Sequence, residues 1–167
     1  MKKILIILFA LFITLQADLM QNVENFNKVF IDAKCGNSMS QFWLGNRYRY
    51  GNGTQVDTDK ALYWYKKSAS KGYIEAIILL SNLYIKGAQN NSTMQVGVHY
   101  LDDLAHYDKV FLNLYNLSND YQTNYRLSAY RTLIRLYKVG TKYLKIDKQK
   151  VREYEQELQE LKKEQSK

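Results

Sequence analysis

Proline is absent from all 167 residues. No helix is interrupted by a missing backbone N–H or a locked φ, so Gly, Asn and Asp must supply the turns. Cysteine occurs once, at Cys35. A single thiol makes no internal disulfide and no cysteine-rich metal framework. Free cysteine is among the most buried residue types, so Cys35 is expected inside the fold, with an intermolecular bond as the alternative. Histidine is limited to His99 and His106. Seven positions apart on a helix, they share a face about 10 Å apart along the axis. A site built from His99, Asp103 and His106 therefore lacks the i, i+4 histidine spacing typical of a helical metal site. The chain carries a net charge of +8, yet no block of five like charges occurs, and a nucleic-acid partner is not expected. A Gly-rich phosphate loop, a nearby Cys–His pair and a nucleophile elbow are all missing. No cofactor and no metal is expected.

What is present begins with a basic start, Lys2-Lys3, followed by an apolar run from Ile4 to Leu15 and the segment Thr14-Leu15-Gln16-Ala17. This is the layout of a secretory signal peptide over residues 1–17, short for a membrane span. Its removal takes away two of the 24 basic residues and none of the 16 acidic ones, leaving +6. Retention of the segment as an anchor is the alternative. The expected location is periplasmic or secreted, with no stable membrane span after signal removal. A basic exported chain favours an acidic protein or peptide as partner.

Residues 18–167 read as helices throughout. Val23, Phe26, Val29, Phe30 and Ala33 share one helical face, and Cys35-Gly36-Asn37 stops that helix. A second runs from Met39 to Tyr50 and ends at Gly51-Asn52-Gly53. Asp57 or Thr58 caps a third, on which Ala61, Trp64, Tyr65, Ser68 and Ala69 fall at helical spacing. A fourth spans about Ile74 to Lys86 and a fifth about Met94 to His106. Lys109 to Leu117 is apolar and expected to be helical, Ser118-Asn119-Asp120 reads as a break, and Asn124 to Val139 is a strong helix. Asp147 caps a last one, whose apolar positions are Val151, Tyr154, Leu158 and Leu161.

An internal echo organises these helices. Ser40, Leu44, Gly45, Tyr48 and Gly51 are matched thirty-six residues later by Ala76, Leu80, Ser81, Tyr84 and Gly87. A period of this size marks a helical repeat. Ala129, Leu133, Tyr137 and Gly140 restore the phase further on. The most complete unit also holds Gly53, Asp57, Lys60, Ala61, Trp64, Tyr65, Lys67, Ala69, Gly72 and Ala76. In this pattern the chain resembles the Sel1-like repeat family, relatives of tetratricopeptide repeats, with Thr54 in place of a valine and Ser68 in place of an alanine. The resemblance implies an all-α fold, an α/α superhelical solenoid of antiparallel helix pairs. A half unit at 22–36 would precede repeat one (40–75) and repeat two (76–108). An irregular stretch (109–122) and a third repeat with its C-terminal cap (123–165) would follow.

One motif points to chemistry. Ser68-Ala69-Ser70-Lys71 fits the Ser-x-x-Lys pattern of penicillin-recognising enzymes, and some cysteine-rich relatives carry a β-lactamase label. Here the motif coincides with the repeat's own framework, Lys-Thr-Gly and Ser-Asp-Asn do not follow, and paired cysteines are missing. A catalytic residue is therefore not assigned. The repeat framework leaves other positions free on the helices expected to line the inner face. These are Phe42, Asn46, Arg49 and Tyr50 on the first, Asn82 and Lys86 on the second, and Arg131 and Arg135 on the third. A surface mixing aromatic, amide and cationic groups suits a protein or peptide. The expected function is protein or peptide binding in the bacterial envelope. The alternatives are a β-lactamase-like or cell-wall-acting hydrolase and an envelope assembly or immunity factor.

Overall fold

The computed structural model describes residues 2–106 and 119–165. The helix expected over Lys109 to Leu117 lies outside them. The described residues form seven helices: α1 (Lys2–Lys34), α2 (Ser38–Tyr50), α3 (Thr58–Ala69), α4 (Ile74–Lys86), α5 (Asn91–Ala105), α6 (Asn119–Val139) and α7 (Lys148–Gln165). They divide into two compact units, Met1–Tyr73 and Ile74–Lys167.

In the first unit α2 packs against both α1 and α3. The capping residues follow from side-chain chemistry. Asn37 Oδ1 accepts the Ser40 N–H at 2.8 Å and opens α2, and Asp57 Oδ1 accepts the Lys60 N–H at 2.9 Å and opens α3. That bond holds the exposed Asp57 carboxyl below its ordinary range. Gly51 ends α2 at φ 74°, a left-handed conformation that costs glycine nothing. The Asp57 N–H then donates to the Tyr48 carbonyl at 2.8 Å and turns the chain back along α2. All five residues of the expected α3 face, Ala61, Trp64, Tyr65, Ser68 and Ala69, are buried. They meet Leu44, Gly45 and Tyr48 of α2, also buried.

α1 differs from the expected helix in its start. It runs unbroken from Lys2, and its apolar stretch, with a mean hydropathy of 1.6, is entirely unburied. A signal sequence and a membrane-crossing helix share this form. Its second half belongs to the packed unit: Phe26 meets the Tyr48 ring edge-on with centroids 5.6 Å apart, and Ala33 is buried. Val23, on the expected face, is exposed. Cys35 is exposed too, contrary to the burial expected of it. The chain leaves the helix after Lys34, and Ala33 takes the inward position beside the turn.

In the second unit α5 packs against α4 and α6, and α6 against α7. Leu80, Met94 and Leu133 are fully buried. Asn90 and Thr93 form a reciprocal capping box at the start of α5. Gly97 lets α5 approach α4 closely: a Cβ there would lie 2.9 Å from the Ile85 backbone nitrogen. Asp147 Oδ1 accepts the N–H groups of Gln149 and Lys150, both at 3.0 Å, and caps α7 as the sequence indicates. Val151, on the expected inner face of α7, is half-buried, while Tyr154, Leu158 and Leu161 are buried.

Candidate interaction face on α2

The outward side of α2 is one continuous stripe. At 100° per residue, Met39, Phe42, Trp43, Asn46, Arg49 and Tyr50 occupy about a third of the helix circumference, while Ser38, Gln41, Leu44, Gly45 and Tyr48 take the buried side. Three apolar side chains of the stripe stand in solvent: Met39 is 49% exposed, Trp43 52% and Tyr50 61%.

Tyr65 of α3 supports the stripe from below. Its ring is buried and lies 5.7 Å from that of Phe42, while its hydroxyl donates to Asn46 Oδ1 at 2.8 Å. Burial raises the pKa of this hydroxyl, and the Arg49 guanidinium beside it opposes the rise. The phenol therefore stays a donor and fixes the Asn46 amide, with its NH₂ group turned away from the shared bond. Phe42 also meets the rings of Trp43 and Tyr73, at 5.7 and 5.2 Å. Arg49 lies 5.2 Å from the Tyr50 ring, a cation–π arrangement that pre-orders both side chains. The four α2 residues singled out from sequence thus form one surface. Met39 and Trp43 belong to it as well and were missed; a helical wheel centred on Asn46 would have found them.

The remaining sequence-derived candidates lie in the second unit. Asn82 and Lys86 sit one turn apart on α4, both exposed, and Asn82 Nδ2 bonds back to the Ile78 carbonyl at 3.0 Å. Arg131 and Arg135 are exposed one turn apart on α6. Arg131 lines a groove of about 980 Å³ with Ile134 and the α7 residues Arg152, Glu155 and Gln159.

The Ser-x-x-Lys segment has a structural explanation. Ser68 is 0% exposed, and its hydroxyl donates to the Ser38 carbonyl at 2.7 Å. Lys71 Nζ donates to the Gly36 carbonyl at 2.6 Å. Both side chains tie the end of α3 to the α1–α2 turn. A hydroxyl without solvent access, already donating to a backbone carbonyl, offers no nucleophile to an added substrate. Replacing Ser68 by Ala removes this side-chain bond while the Ser38 carbonyl keeps its place in the first turn of α2, and should cost about 1 kcal/mol. Urea denaturation checks this, and a nitrocefin assay alongside should show no serine-dependent turnover.

The histidines are likewise separated. His99 Nε2 approaches Asp103 at 3.6 Å, whereas His106 meets Glu157 of α7 at 3.2 Å and the Asp102 carbonyl at 2.9 Å. Among the described residues no group of three or more such side chains could hold a metal ion.

The Sel1 repeat family matches residues 38–73, the segment holding α2, α3 and the residues that bind them. No curated protein matches the chain. Among solved structures, a Sel1 repeat protein from Oxalobacter formigenes aligns with a TM-score of 0.57 at 18% identity, over 84% of this chain and 50% of its own. A protective antigen present in uropathogenic Escherichia coli strains, displaying an SLR fold, aligns with a TM-score of 0.53 at 14% identity, over 83% of this chain and 26% of its own. The chain thus spans half or less of the length of these structures, and at such identities the likeness establishes the fold. Sel1 repeats typically mediate protein–protein interaction. The chain therefore carries a Sel1 repeat at residues 38–73 and has the all-α, α/α solenoid fold of solved Sel1-like repeat structures.

Proposed function

We propose that this chain is an exported protein of the bacterial envelope that binds a peptide segment of another protein on the α2 face. The observation that carries this reading is the exposure of Met39, Trp43 and Tyr50 beside a fixed amide and a cation. Aromatic and arginine side chains dominate binding energy at protein interfaces, and methionine adapts to irregular partners. Asn46, held by Tyr65, supplies directional hydrogen bonding to a peptide backbone. Arg49 favours an acidic group in the partner, as does the net charge of +6 that remains once the export signal is removed. Asn82, Lys86, Arg131 and Arg135 are kept as partner-binding residues of the second unit, taken by itself. The apolar first half of α1 serves as the export signal.

Affinity capture from envelope extract tests the reading. Trp43 is half-exposed and outside the core, so Trp43→Ala should leave the folded state intact. It should weaken retention of the specifically captured partner by about thirtyfold, the equivalent of about 2 kcal/mol. Equal capture by both proteins would refute the assignment of this face.

A further inference from the structure

We propose that a second site, in the unit Ile74–Lys167, binds the carboxylates of an acidic peptide segment. A pocket of about 600 Å³ opens where the first turns of α5 and α7 meet the 140–147 loop. Lys142 and Lys145 from the loop and Lys150 from α7 line it, with Asn91 and Gln95 from α5. The proposal rests on the chain being a protein- or peptide-binding module and is independent of the α2 face.

Three features carry it. The first is excess positive charge, three lysines against one carboxylate. Among the described residues no carboxylate lies within salt-bridge distance of the three lysines. The one carboxylate lining the pocket, that of Asp147, is engaged by the Gln149 and Lys150 amides. Lys142 and Lys150 rest near aromatic faces instead, each 5.0 Å from the ring of Tyr143 or Tyr137. Those faces orient the ammonium groups without neutralising them.

The second feature is a built scaffold. Gly140, at φ 73°, ends α6. The Thr141 N–H donates to the Leu144 carbonyl at 2.8 Å, and the Asp147 N–H to the Tyr137 carbonyl at 3.0 Å. Thr141 Oγ1 accepts the Leu144 N–H at 3.0 Å. The loop is therefore closed by its own hydrogen bonds, which hold the backbone of Lys142 and Lys145 in place. The third feature is the ligand chemistry the lining fits. The cavity exceeds the size of a lone oxyanion, the lining contains no arginine fork of the kind favoured for phosphate, and Ile146, 60% exposed, adds an apolar contact. The two amides can pair with a peptide backbone.

The test is fluorescence anisotropy of a labelled octaglutamate peptide with the full-length chain. Saturable binding that weakens with salt is expected. Lys142→Glu combined with Lys145→Glu should weaken it about tenfold. The closing hydrogen bonds use the backbone and Thr141, so circular dichroism of this variant should match wild type. The pair Lys28→Glu and Lys162→Glu makes the same change in net charge outside the pocket and should stay within about twofold of wild type. Trp43→Ala should bind the peptide normally, whatever it does to the protein partner. The proposal is overturned by absence of binding, by equal loss in both charge-reversal pairs, or by inorganic phosphate displacing the peptide at equal concentration.

Discussion

Gly45→Val is expected to destabilise the first unit by about 3 kcal/mol, the upper range for overpacking a core. A Cβ at Gly45 would stand 2.6 Å from two ring carbons of Tyr65 and 3.2 Å from the Ala61 carbonyl oxygen. The ring has little room to yield. It is 2% exposed, pressed against Phe42 and tied through its hydroxyl to Asn46. Either α2 and α3 part, or Tyr65 moves and releases Asn46. Gly45→Ala should lie between, because the helix propensity gained over glycine, about 1 kcal/mol, offsets part of the clash. Urea titration of the three proteins checks the order wild type, Ala, Val. A valine variant as stable as wild type would mean that α2 and α3 do not meet at this position.

Leu80→Ala is the second large effect. Leu80 is 0% exposed on α4, which packs on α5. Truncation leaves a cavity whose cost falls in the range of about 2–5 kcal/mol. It should lie at the upper end, because Gly97 already brings α5 within van der Waals reach of the α4 backbone and limits collapse around the void. Thermal melting by circular dichroism reads the loss. A shift smaller than that of Ser68→Ala would contradict the placement of Leu80 in the core.

Both effects concern residues in the repeat's own phase, and this explains what the sequence made legible. Leu44, Gly45 and Tyr48, with their echoes Leu80, Ser81 and Tyr84, mark the packing side of α2 and α4. Asp57 and Asp147 mark helix starts because a short acceptor side chain can reach a free N–H three residues on, whereas Asn37, read as part of a helix stop, caps α2 in the same way. Pairings between distant residues were hidden. The Tyr65–Asn46 bond, the Ser68–Ser38 bond and the Lys71–Gly36 bond depend on where α3 lies against the preceding turn, which no periodicity encodes. The sequence already placed Ser68 and Lys71 in the repeat framework, and their bonds to the Ser38 and Gly36 carbonyls supply the physical reason. Cys35 was misplaced because a compositional tendency to burial says nothing about the side of a turn. Trp43 and Met39 were overlooked because large apolar residues are usually core, and it takes the wheel of α2 to show them beside Asn46. The loop at 140–147 follows the repeat only approximately, and local hydrogen bonds rather than the pattern bring its two lysines, Lys142 and Lys145, to the pocket that Lys150 of α7 also lines.

A photo-crosslinking amino acid placed at single positions reports whether the outward stripe of α2 contacts the partner. Position 43 is 52% exposed and position 63, on α3, is 51% exposed, so both report with similar access to solvent. After irradiation of intact cells, a discrete covalent adduct is expected from position 43 and none from position 63. An adduct from position 63 with none from position 43 would contradict that contact.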